Sequence, residues 1–93
     1  MKVIYKITYP NGKIYIGKDL TNTLTYFGSV DNNYVNQDFS EKEKKIFTIT
    51  KEILFESNST EEINKKEVEL IQFYQSNNPK IGYNKWPKFK FTN

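Results

Sequence analysis

Residues 2–9 read KVIYKITY, a run of β-branched and aromatic positions that predicts a strand. Pro10, Asn11 and Gly12 follow, and residues 13–18 predict a second strand, so the opening is a β-hairpin. Residues 19–33 are rich in Thr, Asn, Gly and Ser and predict a long loop, with a short helix over 32–39. SEKE at 40–43 fits a capping box, Ser40 with Glu43, opening another helical turn. Residues 46–55, IFTITKEILF, alternate and predict a third strand with Phe47, Ile49, Ile53 and Phe55 on one face. The longest helix lies within residues 57–76, capped by Ser59 or Thr60, with Glu61 and Glu62 favourable in its first turn. It ends before the breaker cluster NNPKIG, and the tail YNKWPKFKFTN has no period. No repeat or linker divides the chain, so residues 1–93 are expected to form one domain.

The hairpin loop decides which tyrosines share a face, because side chains alternate along a strand. A two-residue Asn11-Gly12 loop puts Tyr5 and Tyr15 on opposite sides. A three-residue loop pairs Tyr9 with Lys13 and Ile7 with Tyr15. Tyr5, Ile7, Tyr9, Lys13 and Tyr15 then share one face, and Ile4, Ile14 and Ile16 the other. The longer loop suits a type I turn with a bulge, Gly12 taking the left-handed position and Pro10 an early one. It also separates an apolar face from a Tyr/Lys face, and is the expected register. Strand tyrosines are otherwise ordinary half-buried aromatics.

The long helix holds a less ordinary residue. At about 100° per residue, Ile63, Leu70, Ile71 and Tyr74 form one stripe, and Glu67 lies inside it. Glu69 falls on the far side with Lys65 and Lys66. A carboxylate in an apolar stripe is costly unless compensated. Glu67 is therefore paired with a cation, protonated, at the stripe's edge, or a ligand for a hard metal aimed at the sheet.

Composition narrows the chemistry. The chain has neither Cys nor His, which excludes disulfides and thiolate sites and leaves Tyr, Lys or a carboxylate as any general base. Any metal would be an oxygen-bound hard cation. All 14 basic residues are Lys, and against 11 acidic ones the net charge is +3, a weak pointer to a polyanion. No apolar run approaches the ~18 residues of a membrane span and no signal peptide is evident, so a cytoplasmic protein is expected. In the tail, Lys85, Lys88 and Lys90 interleave with Trp86, Phe89 and Phe91. Such a pattern can bind unpaired bases and phosphates, or the aromatics can seal the core edge.

VIY at 3–5 and YIG at 15–17, on a hairpin with NGK between them, resemble the GIY-YIG nuclease superfamily. YFGS at 26–29, KEILFES at 51–57, KEVELIQFY at 66–74 and GYN at 82–84 resemble its downstream segments in order. The resemblance spans about residues 2–90. It implies a small α/β fold, a three-stranded antiparallel sheet flanked by helices, and metal-dependent phosphodiester hydrolysis. Tyr5 and Tyr15 match the two motif tyrosines, Gly17 the second-motif glycine that permits close backbone approach, Glu67 the metal-binding glutamate, and Asn84 the closing asparagine. Val3 replaces the first glycine of the first motif. The chain has no Arg, where the family has a catalytic arginine, and it also lacks a histidine often found near the site.

The expected function is thus a Mg²⁺- or Mn²⁺-dependent endonuclease, acting on DNA foremost, with one ion on Glu67 and low sequence specificity. Tyr5 would be the general base or orient the attacking water, Tyr15 would bind the phosphate or nucleophile, and Lys13 or Lys18 would replace the arginine. Lys13 is the expected choice because it shares the tyrosine face. Gly17, Lys18, Asn84, Lys85, Trp86 and Lys88 would contact substrate. The rivals are a catalytically silent nucleic-acid-binding module that kept the fold without the arginine, and a purely structural domain.

Overall fold

The computed structural model describes residues 1–21, 38–44 and 48–90. Most of the expected 19–33 loop and 32–39 helix, the YFGS segment, Phe47 and Phe91 lie outside the described residues. Three strands, β1 (Lys2–Thr8), β2 (Ile14–Asp19) and β3 (Thr50–Ser57), form one antiparallel sheet in the order β2-β1-β3. A single helical turn, α1 (Glu41–Lys44), precedes β3, and the 15-residue α2 (Thr60–Tyr74) follows it. The architecture is α/β. No helix among the described residues is long and apolar enough to cross a membrane.

β1 is central, and Val3, Ile4, Tyr5 and Ile7 are all fully buried. A strand covered on both faces has apolar residues at both parities, which explains the near-continuous run. The hairpin takes the three-residue loop. Tyr9 N–H donates to Lys13 O and Gly12 N–H to Tyr9 O, both at 2.9 Å, with Gly12 at φ 86°. Asn11 Oδ1 accepts from Lys13 N–H at 3.0 Å and tightens the turn. Ile7 accordingly sits opposite Tyr15, and Tyr5 opposite Gly17.

The two faces carry separate cores. Tyr5, Ile7 and Tyr9, with half-buried Tyr15 and Ile49, pack under Phe39 and Tyr83. Tyr9 meets Tyr83 edge to face, with ring centroids 5.0 Å apart. On the other face Ile4 and Ile16 pack against Ile63 and Ile71 of α2, with Leu70 and Tyr74 beside them. Each such isoleucine contributes roughly 1.5–3 kcal/mol. The helix begins as its sequence predicts, with Ser59 Oγ accepting from Glu62 N–H at 3.2 Å. It ends at Gln75, left-handed at φ 57°. The expected box before α1 is present too: Ser40 N–H donates to Glu43 Oε1 at 2.9 Å, and Glu43 N–H to Ser40 Oγ at 3.1 Å. These bonds hold the Glu43 carboxyl below its usual range.

β3 departs from the expected alternation. It begins at Thr50, and its register slips where Ile4 faces Phe55 but Tyr5 faces Ile53. Leu54 is the extra residue of a β-bulge, which turns Leu54 and Phe55 both toward the helix-side core. Ile53 stays on the tyrosine side, 44% exposed. Phe55 therefore does not share a face with Ile49 and Ile53, because one inserted residue inverts the parity beyond it.

Candidate active site

β2 is an edge strand, and residues 81–84 cover much of its open side. Ile14 N–H donates to Ile81 O at 3.1 Å, and Tyr83 N–H donates to Ile14 O at 2.9 Å, forming a short parallel bridge. Two residues on, a side chain replaces the backbone: Asn84 Oδ1 accepts from Ile16 N–H at 2.8 Å and Asn84 Nδ2 donates to Ile16 O at 2.7 Å. The amide acts as one more peptide in the ladder. Asn84 N–H donates to Ser76 O at 3.0 Å, so the same residue ties β2 to the chain just past α2. Asn84 was expected to contact substrate, yet its side chain is committed to the strand. Asn84→Ala leaves the Ile16 peptide without these partners, and stability should fall by about 1–3 kcal/mol. A thermal melt checks this.

Around that edge, residues from opposite faces of the sheet converge. Tyr15 comes from the tyrosine face and Glu67 from α2 on the isoleucine face. Both line a cleft of about 330 Å³, together with Asn84, Lys85 and Trp86. Glu67 is half-buried, and burial pushes its carboxyl up, with the charge of Lys18 acting in the opposite sense. Lys18 has the parity of Ile4 and Ile16 and so faces the helix, where its Nζ donates to Asn64 Oδ1 at 2.5 Å. Asn64 lies one turn before Glu67, a position that the helical repeat alone could have flagged. Glu69 is exposed and paired with Lys66 at 3.2 Å, as its place on the outer face predicts.

Lys13 is placed elsewhere. Its Nζ is 2.7 Å from Asp38 Oδ2, which also accepts from Tyr83 O–H at 2.7 Å. Asn11 Nδ2 joins them, 3.4 Å from Asp38 and 3.0 Å from the Tyr83 hydroxyl. Lys13 above all holds the Asp38 carboxyl below its usual range. Burial, aided by Asp38, pushes the Tyr83 phenol up to about 12. Burial does the same to Tyr9, also about 12, with Tyr15 adding to it. Lys13 and Glu67 do not line the same cleft. Sequence reasoning passed over Asp38 and Tyr83; Tyr83 stands inside the GYN segment, while nothing around Asp38 marks it.

Tyr5 is also placed differently from expectation. It is 0% exposed, with Lys51 Nζ 4.7 Å above its ring. Its phenol lies across Gly17, where an added Cβ would press on the Tyr5 hydroxyl and come within 2.6 Å of Tyr5 Cζ and 3.0 Å of Tyr15 Cε2. The close approach that Gly17 permits is thus made by Tyr5. Gly17→Ala should cost about 1–3 kcal/mol through overpacking, read as a lowered urea midpoint. Lys85, Trp86 and Lys88 are all exposed beside the cleft or the groove next to it. No family model matches the chain, and no curated protein or solved structure matches it either.

Proposed function

We propose that the chain is a divalent-metal-dependent endonuclease of the GIY-YIG type, acting on DNA. The observation that carries this reading is the meeting of Tyr15 and Glu67 in one cleft, from opposite faces of the sheet, with Lys18 beside the glutamate. The resemblance of VIY, YIG, KEVELIQFY and GYN supports it, as does the sheet order with the glutamate helix against the isoleucine face.

The residues fit a hard cation. Among the described residues no three acidic, His or Cys side chains cluster, and Glu67 is the one carboxylate among those that line the cleft. One carboxylate completed by water and phosphate oxygens is a donor set Mg²⁺ accepts. Glu67 would hold Mg²⁺ or Mn²⁺. When bound, the ion supplies positive charge to the scissile phosphate and the leaving oxygen.

The remaining work falls to the chain's own side chains. Tyr15 reaches the cleft and is the group to orient the attacking water or take its proton, a role first expected of Tyr5. Tyr5, sealed in the core, positions Tyr15 and Gly17. Lys18 offsets charge building on the phosphate, as a point charge lacking the fork of an arginine. Asn84 holds the strand that carries Tyr15.

The absence of Arg favours a second reading, a binding module that no longer cuts. One panel decides between them: duplex, branched and single-stranded DNA, and RNA, each incubated with Mn²⁺ and with a chelator. Cleavage of any substrate that the chelator stops supports the nuclease. Binding without cleavage supports the silent module, and neither leaves a structural domain.

A further inference from the structure

We propose that Trp86 is a stacking platform for an unpaired nucleobase, so the preferred nucleic acid has single-stranded nucleotides beside the bond to be cut. This rests on the nuclease reading for the cleft and adds the form of the substrate.

Trp86 is the only tryptophan in the chain and is 73% exposed. A large ring left in water on a slack tail would be unremarkable, but this one is braced on both sides. Two residues before it, Asn84 is bonded to Ile16 through both amide atoms. One residue after it, Pro87 O accepts from Asn77 Nδ2 at 2.6 Å. The ring is thus presented by anchored backbone, which lowers the ordering cost of binding against it.

Trp86 also lines two cavities. One is the cleft of Tyr15 and Glu67; the second is a groove of about 590 Å³ whose lining includes Lys13, Asp38, Lys85, Lys88 and Phe89. That volume is in the range that holds small-molecule-sized ligands. Lys13 and Asp38 neutralise each other across 2.7 Å, and the exposed Lys88 adds positive charge to the described lining of the groove. An aromatic face flanked by lysines, next to a carboxylate suited to a metal, matches a base on its phosphate backbone. Bases inside a duplex are already stacked on their neighbours, so only an unpaired base offers its face to the ring.

The single tryptophan makes the test direct. The full chain, kept in chelator so that nothing is cut, is titrated with a short oligothymidylate and with a duplex of the same length. Saturable quenching of tryptophan emission by the single strand, at lower concentration than by the duplex, is the expected result. Labelled-oligonucleotide anisotropy should then show Trp86→Ala binding the single strand roughly 5- to 150-fold more weakly, with Trp86→Phe intermediate. Lys88→Ala should reduce the salt slope by roughly 0.7. Unchanged affinity in Trp86→Ala, equal affinity for the duplex, or single-strand binding without quenching would each overturn the platform. Any of these can occur while the unmodified protein still cleaves with Mn²⁺, so the platform can fail alone. If neither oligonucleotide binds, and an acidic peptide quenches instead, the nuclease reading falls with it.

Discussion

Glu67→Gln should lower cleavage by about 10³-fold or more in either metal, because it removes the one carboxylate among the described residues that line the cleft while keeping the side chain's shape. Glu69→Gln, on the exposed face beside Lys66, should cut at close to the normal rate. Stability should move the other way. Burial raises the Glu67 pKa in the folded protein, so the fold binds a proton there more tightly than the unfolded chain does. At neutral pH the ionised carboxylate therefore opposes folding. The penalty appears as pH rises from the ordinary carboxylate range through the raised folded value, and is absent below both. Glu67→Gln should melt no lower than the unmodified protein at neutral pH, and slightly higher. The gain is small because the group is partly exposed and solvent-screened. Melting curves at neutral and acid pH, alongside a single-turnover assay, separate a lost ligand from a lost fold. Equal loss of activity in the two glutamine variants would refute the placement of Glu67.

Lys18→Ala should slow cleavage by roughly 10²–10³-fold, the usual effect of removing one charge-stabilising donor. Lys13→Ala should have a far smaller effect. This ranking reverses the one that strand parity suggests. Parity favours Lys13 because it shares the tyrosine face, on the assumption that the chemistry is on that face. Glu67 instead arrives on the isoleucine side, where Lys18 bonds Asn64 and its charge offsets part of the upward shift that burial imposes on the carboxyl. Lys13 is instead held by Asp38 beside the hairpin turn. Rates measured with saturating metal and substrate, for both variants, decide the order. A Lys13→Ala defect larger than that of Lys18→Ala would return the charge-stabilising role to the hairpin lysine.

What the sequence determined by itself is local. The Pro10, Asn11, Gly12 loop sets the hairpin register, because glycine's freedom at positive φ selects the loop length, and that length sets which tyrosines share a face. Ser59 starts the long helix and Ser40 the short one, since each cap bonds within its own turn. The helical repeat places Glu67 in the buried stripe and Glu69 outside it. Only the tertiary structure decided the rest. The bulge at Leu54 puts both Leu54 and Phe55 into the core beneath the long helix, a demand that arises only once that helix packs there and that no period within β3 encodes. Asn84 closes the edge of β2 because that edge has unmet peptide groups once the sheet exists, 68 residues away from it in sequence. Tyr5 and Tyr15 look equivalent as motif letters. One ends up in a central strand covered on both faces and the other on an edge, so burial removes the first from water and leaves the second beside Glu67.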